Sequence, residues 1–229
     1  MNEKKEIGRL FDRIAVTYDR INHLMSLNVD KIWRRKAVRC LEASGKVLDV
    51  AIGTGDFAIE ILRQGKAEIV KGIDLSGQMM LIGERKVRKL GFQDKVSFIE
   101  ASALEMPFEE ASFDAVTCAY GVRNFSDLEK GLSEMFRVLR PGGQLLILEF
   151  SYPSNRIIRP LYDFFFSNVM PAIGRMVSKD PTAYTYFKNS VKSFIWGDEM
   201  ARKITAAGFR DVTFKTLTSG LTTIYIGVK

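Results

Sequence analysis

The chain has 229 residues, 46% of them hydrophobic, with 34 Lys/Arg against 27 Asp/Glu and a net charge of +7. That length and apolar content suit one α/β domain with its own core, and no stretch approaches the roughly 20 consecutive apolar residues of a spanning helix. Cys40 and Cys118 lie in apolar patterns and read as reduced core thiols, so neither a disulfide nor a metal site is expected, and with His23 the sole histidine a histidine cluster is excluded.

Met1 to Glu6 is charged and does not read as a secretion signal. Apolar residues at helical spacing, including Ile7, Leu10, Phe11 and Ile14, predict a helix over Glu6–Ile21, and the same pattern predicts another over Asp30–Leu41. Residues 1–42 are thus expected to form a helical lid over one edge of a sheet. Lys46–Ala51 suits a strand buried on both faces. Gly53 and Gly55 permit backbone geometry that a side chain would block, and a helix begins at Asp56, an acid suited to its positive end.

Ile69–Asp74 is the second predicted strand, and Ser76–Leu90 a helix with Ser76 as its cap. Val96–Glu100 and Phe113–Ala119 are the third and fourth strands. A helix from about Ser126 to Leu139 is expected to stop at the breaker Arg140-Pro141-Gly142-Gly143, before a fifth strand over Gln144–Phe150. Residues 151–196 carry ten aromatics and few strand signals, and read as an inserted helical cap whose most apolar piece is Leu161–Phe166. A helix near Gly197–Ala207 and two strands joined around Ser219-Gly220 close the chain as a hairpin. The expected architecture is one Rossmann-like domain over 1–229, with a seven-stranded, mostly parallel sheet and an antiparallel end.

The glycine segment limits function most. Gly53-Thr54-Gly55-Asp56-Phe57-Ala58 follows a strand and opens a helix, and Asp74 ends the next strand nineteen residues after Gly55, placed to accept hydrogen bonds from ribose hydroxyls. Dinucleotides and S-adenosylmethionine both fit that much. Asp49, four positions before Gly53, separates them: a carboxylate there repels a diphosphate and suits a ligand carrying an amino group and a sulfonium. Thr54 and nearby amides would hold the methionine carboxylate. Ser102-Ala103, past the third strand, is either an adenine platform or an ordinary turn before Pro107. Arg123 and Asn124, past the fourth, either face the reactive end of the cofactor or cap the following helix.

Positive charge is concentrated in two places. Met1–Arg39 holds ten basic and five acidic residues, and Ser151–Trp196 six and two, which admits nucleic acid, an anionic membrane surface or plain solvation.

Several separated motifs resemble the menaquinone/ubiquinone C-methyltransferases nearly end to end: Tyr18-Asp19-Arg20-Ile21-Asn22-His23-Leu24-Met25-Ser26, Trp33-Arg34, Tyr120-Gly121-Val122-Arg123-Asn124, Arg137-Val138-Leu139-Arg140-Pro141-Gly142-Gly143 and Leu148-Glu149-Phe150-Ser151. Tyr184–Val191 and Leu217–Gly220 look like C-terminal signatures of that family. Asp30 stands where the family often has histidine, and Ala119 where some members have a cofactor-contacting serine. The resemblance implies a class I methyltransferase acting on a ring carbon of polyprenyl demethylmenaquinol. It puts Thr54, Asp74, Ser102 and Ala103 at cofactor positions and Arg123, Asn124 and Tyr18 near the substrate.

A ring carbon attacks a sulfonium methyl only when electron-rich, so the substrate must be the reduced quinol. Arg123 would stabilise its phenolate while Asn124 and Tyr18 orient it, with a positioned water or Tyr18 relaying the proton. The tail gives the aromatic cap and the basic segments a common purpose, peripheral docking on the inner face of an anionic cytoplasmic membrane. Nucleic acid is not expected, for want of a separate RNA-binding module. An RNA methyltransferase, a dinucleotide oxidoreductase and a non-catalytic binder are the rivals. Tail length, benzoquinol acceptance and whether the chain is a monomer or homodimer stay open.

Overall fold

A computed structural model describes residues 8–9, 11–13, 15–16, 19, 26, 28–42, 44–153, 156–169 and 182–229. Tyr18, His23, half of the predicted first helix and residues 170–181 lie outside them. The described residues from 8 to 19 are helical.

The sheet is assembled from β1 (Ser44–Val50), β2 (Ala67–Asp74), β3 (Val96–Glu100), β4 (Phe113–Ala119), β5 (Leu139–Phe150), β6 (Arg210–Leu217) and β7 (Thr222–Val228). Their spatial order is β3-β2-β1-β4-β5-β7-β6. The first five strands run parallel, and β7 runs antiparallel to both β5 and β6. Strand order reverses between β1 and β4, so the crevice that this topology leaves open lies at their carboxyl ends.

Helices cover both faces: α1 (Val29–Arg39), α2 (Asp56–Arg63) and α3 (Gly77–Lys89) on one, α4 (Leu128–Val138) and α7 (Asp198–Ala206) on the other. Alternation along β1 shows how the sequence serves both layers. Val47 packs with Trp33, Ala37 and Phe57, whereas Leu48 and Val50 pack with Leu132, Met135 and Ile204. The segment before α7 supplies α5 (Ile158–Phe164), a π-helical turn over Phe165–Val169 and α6 (Thr182–Ser193).

Capping chemistry sets two helix starts. Ser76 accepts the Met79 amide at 3.2 Å, as its position in the sequence predicts. Asp127 rather than Ser126 caps α4, accepting the Lys130 amide at 2.9 Å. α4 ends at Val138, just before Arg140-Pro141-Gly142-Gly143 as the breaker predicts, but the next strand starts at Leu139 rather than at Gln144. β5 runs through the breaker, and the register skips from Phe113↔Leu139 to Ala115↔Gln144. The bulge survives because the Gly142 amide donates to the Lys229 carbonyl at 2.9 Å and the Lys229 amide to Gly143 at 3.0 Å.

The crevice requires close backbone approach. Ala51 and Tyr120, just past β1 and β4, both hold left-handed backbone (φ 58° and 61°), at a cost of about 1–2 kcal/mol per residue for a side chain there. A Cβ on Gly121 would lie 2.6 Å from the Ala51 Cβ and 2.7 Å from the Cys118 sulfur, neither of which can swing away. Gly121→Ala is therefore expected to destabilise the protein by about 1–3 kcal/mol through overpacking. Urea unfolding with an unchanged m-value checks it; wild-type stability would show that the two turns can separate.

Candidate active site

The carboxyl ends of β1, β2 and β4 enclose about 780 Å³ of open space, counted out to the mouth. Gly53, Asp74, Ser102, Ala103, Tyr120 and Asn124 line it, with Phe11 of the N-terminal segment on the rim. That segment is tied down by carboxylates. Asp12 accepts from the Ser76 hydroxyl at 2.6 Å and from the Gln78 amide at 3.2 Å, and Asp19 accepts from the Thr54 hydroxyl at 2.7 Å.

Asp74 is committed on both oxygens, Oδ2 to the Gly53 amide at 2.8 Å and Oδ1 to the Ser76 amide at 2.9 Å. It thereby holds the glycine loop to the start of α3. Burial raises its pKa, and those amides oppose the rise. Asp49 is also buried. Its Oδ1 accepts from the Thr117 hydroxyl at 2.8 Å, while Oδ2 has no hydrogen-bond partner among the described residues. Burial pushes its pKa up to about 7, against the Thr117 hydrogen bond and with help from the charge of Asp74.

Arg123 lies in a 3₁₀ turn, Val122–Asn124, directly after β4. Its guanidinium is buried between the rings of Phe150 and Phe187, 5.3 and 5.2 Å from their centroids. Nη1 pairs with Glu149 at 2.9 Å and also donates to the Tyr120 carbonyl. Glu149 takes the Phe150 amide at 2.8 Å and the Arg123 amide at 3.2 Å as well, so one carboxylate fixes the turn and its side chain together. Asn124 accepts from the Tyr186 hydroxyl of α6 at 2.9 Å.

Of the residues singled out in the sequence, the cavity wall gathers Gly53, Asp74, Ser102, Ala103 and Asn124. Asp49 stands behind that wall, and Gly55 caps α2 with φ 78°. Thr54 turns elsewhere: its hydroxyl meets Asp19 and the Lys86 ammonium (2.9 Å), which also binds Asp56 at 2.6 Å. Tyr18 lies outside the described residues. Glu149, Lys86, Tyr186 and Tyr120 received no role from sequence reasoning. Glu149 had a readable signal, a lone carboxylate at the end of the apolar strand Leu145-Leu146-Ile147-Leu148. Lys86 had none, because only the fold brings it to Thr54, and Tyr186 stood in the Tyr184–Val191 signature without its Asn124 partner being visible. Among the described residues there is no cluster able to hold a metal ion.

A model described as the ubiE/COQ5 methyltransferase family matches residues 1–229. The chain belongs to that family. Among its relatives, a demethylmenaquinone methyltransferase of Porphyromonas gingivalis is 43% identical over 230 residues, 99% of this chain and 94% of that one. The ubiquinone/menaquinone biosynthesis C-methyltransferase UbiE of Geobacter sulfurreducens is 42% identical, over all of this chain and 91% of its own. A solved Thermotoga maritima structure, described as a SAM-dependent methyltransferase and possible histamine N-methyltransferase, superposes with a TM-score of 0.70. It shares 19% identity over 97% of this chain and 99% of its own, a likeness of fold.

The Asp49 environment has a measurable consequence for this methyltransferase. The folded protein keeps the Asp49 proton up to about pH 7, whereas an unfolded chain releases it near ~3.9. Stability from this group is therefore fully present below the unfolded value and is lost progressively as pH rises toward 7. Asp49→Asn is expected to remove that loss, so the stability difference between variant and wild type should move in favour of the variant between pH 4 and 7. Denaturation across that range checks it, and a constant difference would contradict it.

Proposed function

We propose that this methyltransferase uses S-adenosylmethionine to methylate a ring carbon of polyprenyl demethylmenaquinol, giving menaquinol. The reading is carried by a buried carboxylate with an unsatisfied oxygen behind a cavity that a second carboxylate lines. Relatives that share two fifths of the sequence and are named for this reaction support it.

The residues present fit the cofactor. Asp49, desolvated and lacking a partner on Oδ2, gains most from a cationic amino group, and Asp74 retains lone pairs for ribose hydroxyls beside its two amide bonds. Ser102, Ala103, Leu104 and Met79 give an apolar surface for adenine. The cofactor supplies an electrophilic methyl on a sulfonium.

The remaining work belongs to the protein. Glu149 and the Tyr120 carbonyl hold the Arg123 guanidinium in one orientation, next in sequence to Asn124 on the cavity wall. There the fixed positive charge stabilises the phenolate that makes the neighbouring ring carbon nucleophilic, directly or through one water. Asn124, held by Tyr186, orients the quinol oxygen. Passing the quinol hydroxyl proton to water leaves the ring carbon electron-rich; a bound sulfonium would supply its methyl to that carbon and depart as the neutral thioether, and loss of the ring proton to water would restore aromaticity. Phe11 at the rim and the aromatic side chains around Arg123 keep bulk water from these charges.

A polyprenyl substrate calls for access at a bilayer surface, and no helix among the described residues is long and apolar enough to cross a membrane. Peripheral docking through the basic segments fits this. Flotation with anionic vesicles at low salt and release at high salt are the expected outcomes, and indifference to lipid charge would count against docking.

Incubation with the methyl donor and reduced demethylmenaquinone is expected to yield menaquinol one methyl heavier by mass spectrometry, and the oxidised quinone no product. Equal turnover of both would sink the phenolate mechanism. Arg123→Lys keeps a charge for Glu149 but loses the planar fork, and should lower kcat by about 10²-fold with little change in donor affinity. An unaltered kcat would remove Arg123 from the reaction.

A further inference from the structure

Four segments of the chain meet at one ammonium beside the glycine loop. Lys86 Nζ lies 2.6 Å from Asp19 Oδ2, 2.6 Å from Asp56 Oδ1 and 2.9 Å from the Thr54 hydroxyl oxygen. Thr54 in turn donates to Asp19 Oδ1 at 2.7 Å, so both oxygens of that carboxylate belong to one ring of contacts. Asp19 comes from the N-terminal segment, Thr54 from the turn after β1, Asp56 from the start of α2 and Lys86 from the last turn of α3. α3 brings Lys86 there because it crosses the glycine loop at Gly83, three positions earlier and on the same helix face. A Cβ on Gly83 would lie 3.1 Å from the Thr54 carbonyl carbon and 2.6 Å from the Phe98 ring.

The N-terminal segment is fastened a second time at the other end of α3, where Asp12 accepts from the Ser76 hydroxyl and the Gln78 amide. Phe11, next to Asp12, stands on the rim of the donor cavity. Two carboxylates therefore hold this segment at the cavity mouth, one by neutral donors and the other by a charge. Among the described residues Asp19 has Lys86 and Thr54 as its partners, whereas Asp56 also lies within electrostatic reach of Arg34. Loss of the ammonium would leave Asp19 and Asp56 confronting each other across the space it fills, and Asp19 is the one carried on the N-terminal segment. The described cavity wall does not include Lys86, which also stands apart from the Arg123–Glu149 pair.

We propose that Lys86 is a positioning residue for the methyl donor: by joining Asp19 to Thr54 it latches the N-terminal segment onto the glycine loop, and so sets how tightly and how long the donor is held. The inference rests on the donor reading above and adds to it the group that closes the site. The side chains of Lys86 and Asp19 are 26% and 24% exposed, enough for dissolved ions to screen the pair, so the latch weakens as ionic strength rises. A closure of that kind suits an enzyme that must exchange spent donor for fresh at every turnover.

The test uses the full chain with S-adenosylhomocysteine, the demethylated donor, as probe, and compares the wild type with Lys86→Met, Asp19→Asn, the two combined, and Lys86→Arg. Lys86→Met and Asp19→Asn are each expected to weaken binding about tenfold through faster dissociation, and the combination to be no weaker than either alone. Lys86→Arg should recover most of the loss. Added salt should speed dissociation from the wild type and have little effect on Lys86→Met. In turnover, KM for the donor should rise and kcat at saturating donor should not fall. Without any ligand, the amides of Phe11, Asp12 and Asp19 should exchange faster in Lys86→Met. Asp19→Asn keeps the test open if Lys86→Met folds poorly. Variants less stable to urea that bind the probe as the wild type does would reduce Lys86 to a structural contact and overturn the latch alone. Additive losses in the combined variant, or a fall in kcat at unchanged KM, would overturn it too. A wild type that binds no probe would overturn the donor reading and this inference with it.

Discussion

Three carboxylates at one edge of the sheet, two of them buried and the third half-buried on the cavity wall, are the constraint on which the rest of this site depends. Asp49, Asp74 and Glu149 end or nearly end β1, β2 and β5, and removing such ions from water costs several kcal/mol each unless something replaces the lost solvation. The protein answers differently for each. Two backbone amides surround Asp74, a guanidinium and two amides surround Glu149, and Asp49 receives one hydroxyl. Burial pushes the Asp49 carboxyl up to about 7. An apolar residue at position 49 would be easier to fold, so the cost is intelligible only if a cation arrives. That argument selects a sulfonium donor with an amino group over a dinucleotide without appeal to any relative.

The same carboxylates organise the backbone around the cavity. By gripping the amides of Gly53 and Ser76, Asp74 ties the loop after β1 to the helix after β2, and Glu149 likewise ties the turn after β4 to the end of β5. The turns past β1 and β4 hold non-glycine residues in left-handed backbone and touch through Gly121. Strain there is tolerated because neighbouring strands over-determine the positions. The cavity is thus bounded by loops whose freedom has been removed before any ligand binds, which is what preorganised electrostatic catalysis requires.

The strands and most helices were legible because their signals are local. Val96–Glu100 and Phe113–Ala119 begin and end where alternating and continuous apolar runs place them, and Ser76 caps α3 for the reason its hydroxyl suggests. The errors are equally physical. Arg140-Pro141-Gly142-Gly143 stops α4 as it reads, yet hydrogen bonds with Lys229 let β5 start before it and pass through it as a bulge, and no local pattern carries that contact. Asp49, Gly53 and Asp74 were visible because a strand, a glycine turn and a strand lie in one unbroken stretch. Arg123 was visible as a residue but not as half of an ion pair, since its partner is 26 positions away. Thr54 shows the reverse failure: its place in the glycine loop is as expected, and its hydroxyl serves Asp19 and Lys86.

Burial of Arg123 depends on the aromatic segment between β5 and α7. Without Phe187 the guanidinium would face water, and a charge screened by water stabilises a phenolate far less than one in a dry pocket. Tyr186, one residue earlier on α6, reaches Asn124 from the same helix. A substrate with a long apolar tail needs exposed hydrophobic surface for access, and its reacting ring needs water excluded. α6 lays Phe187 over the ion pair, whereas Leu161 and Phe164 of α5 are exposed. A helical segment set between two strands can turn different residues to each side, whereas a strand of the same length, buried in the sheet on both faces, could not.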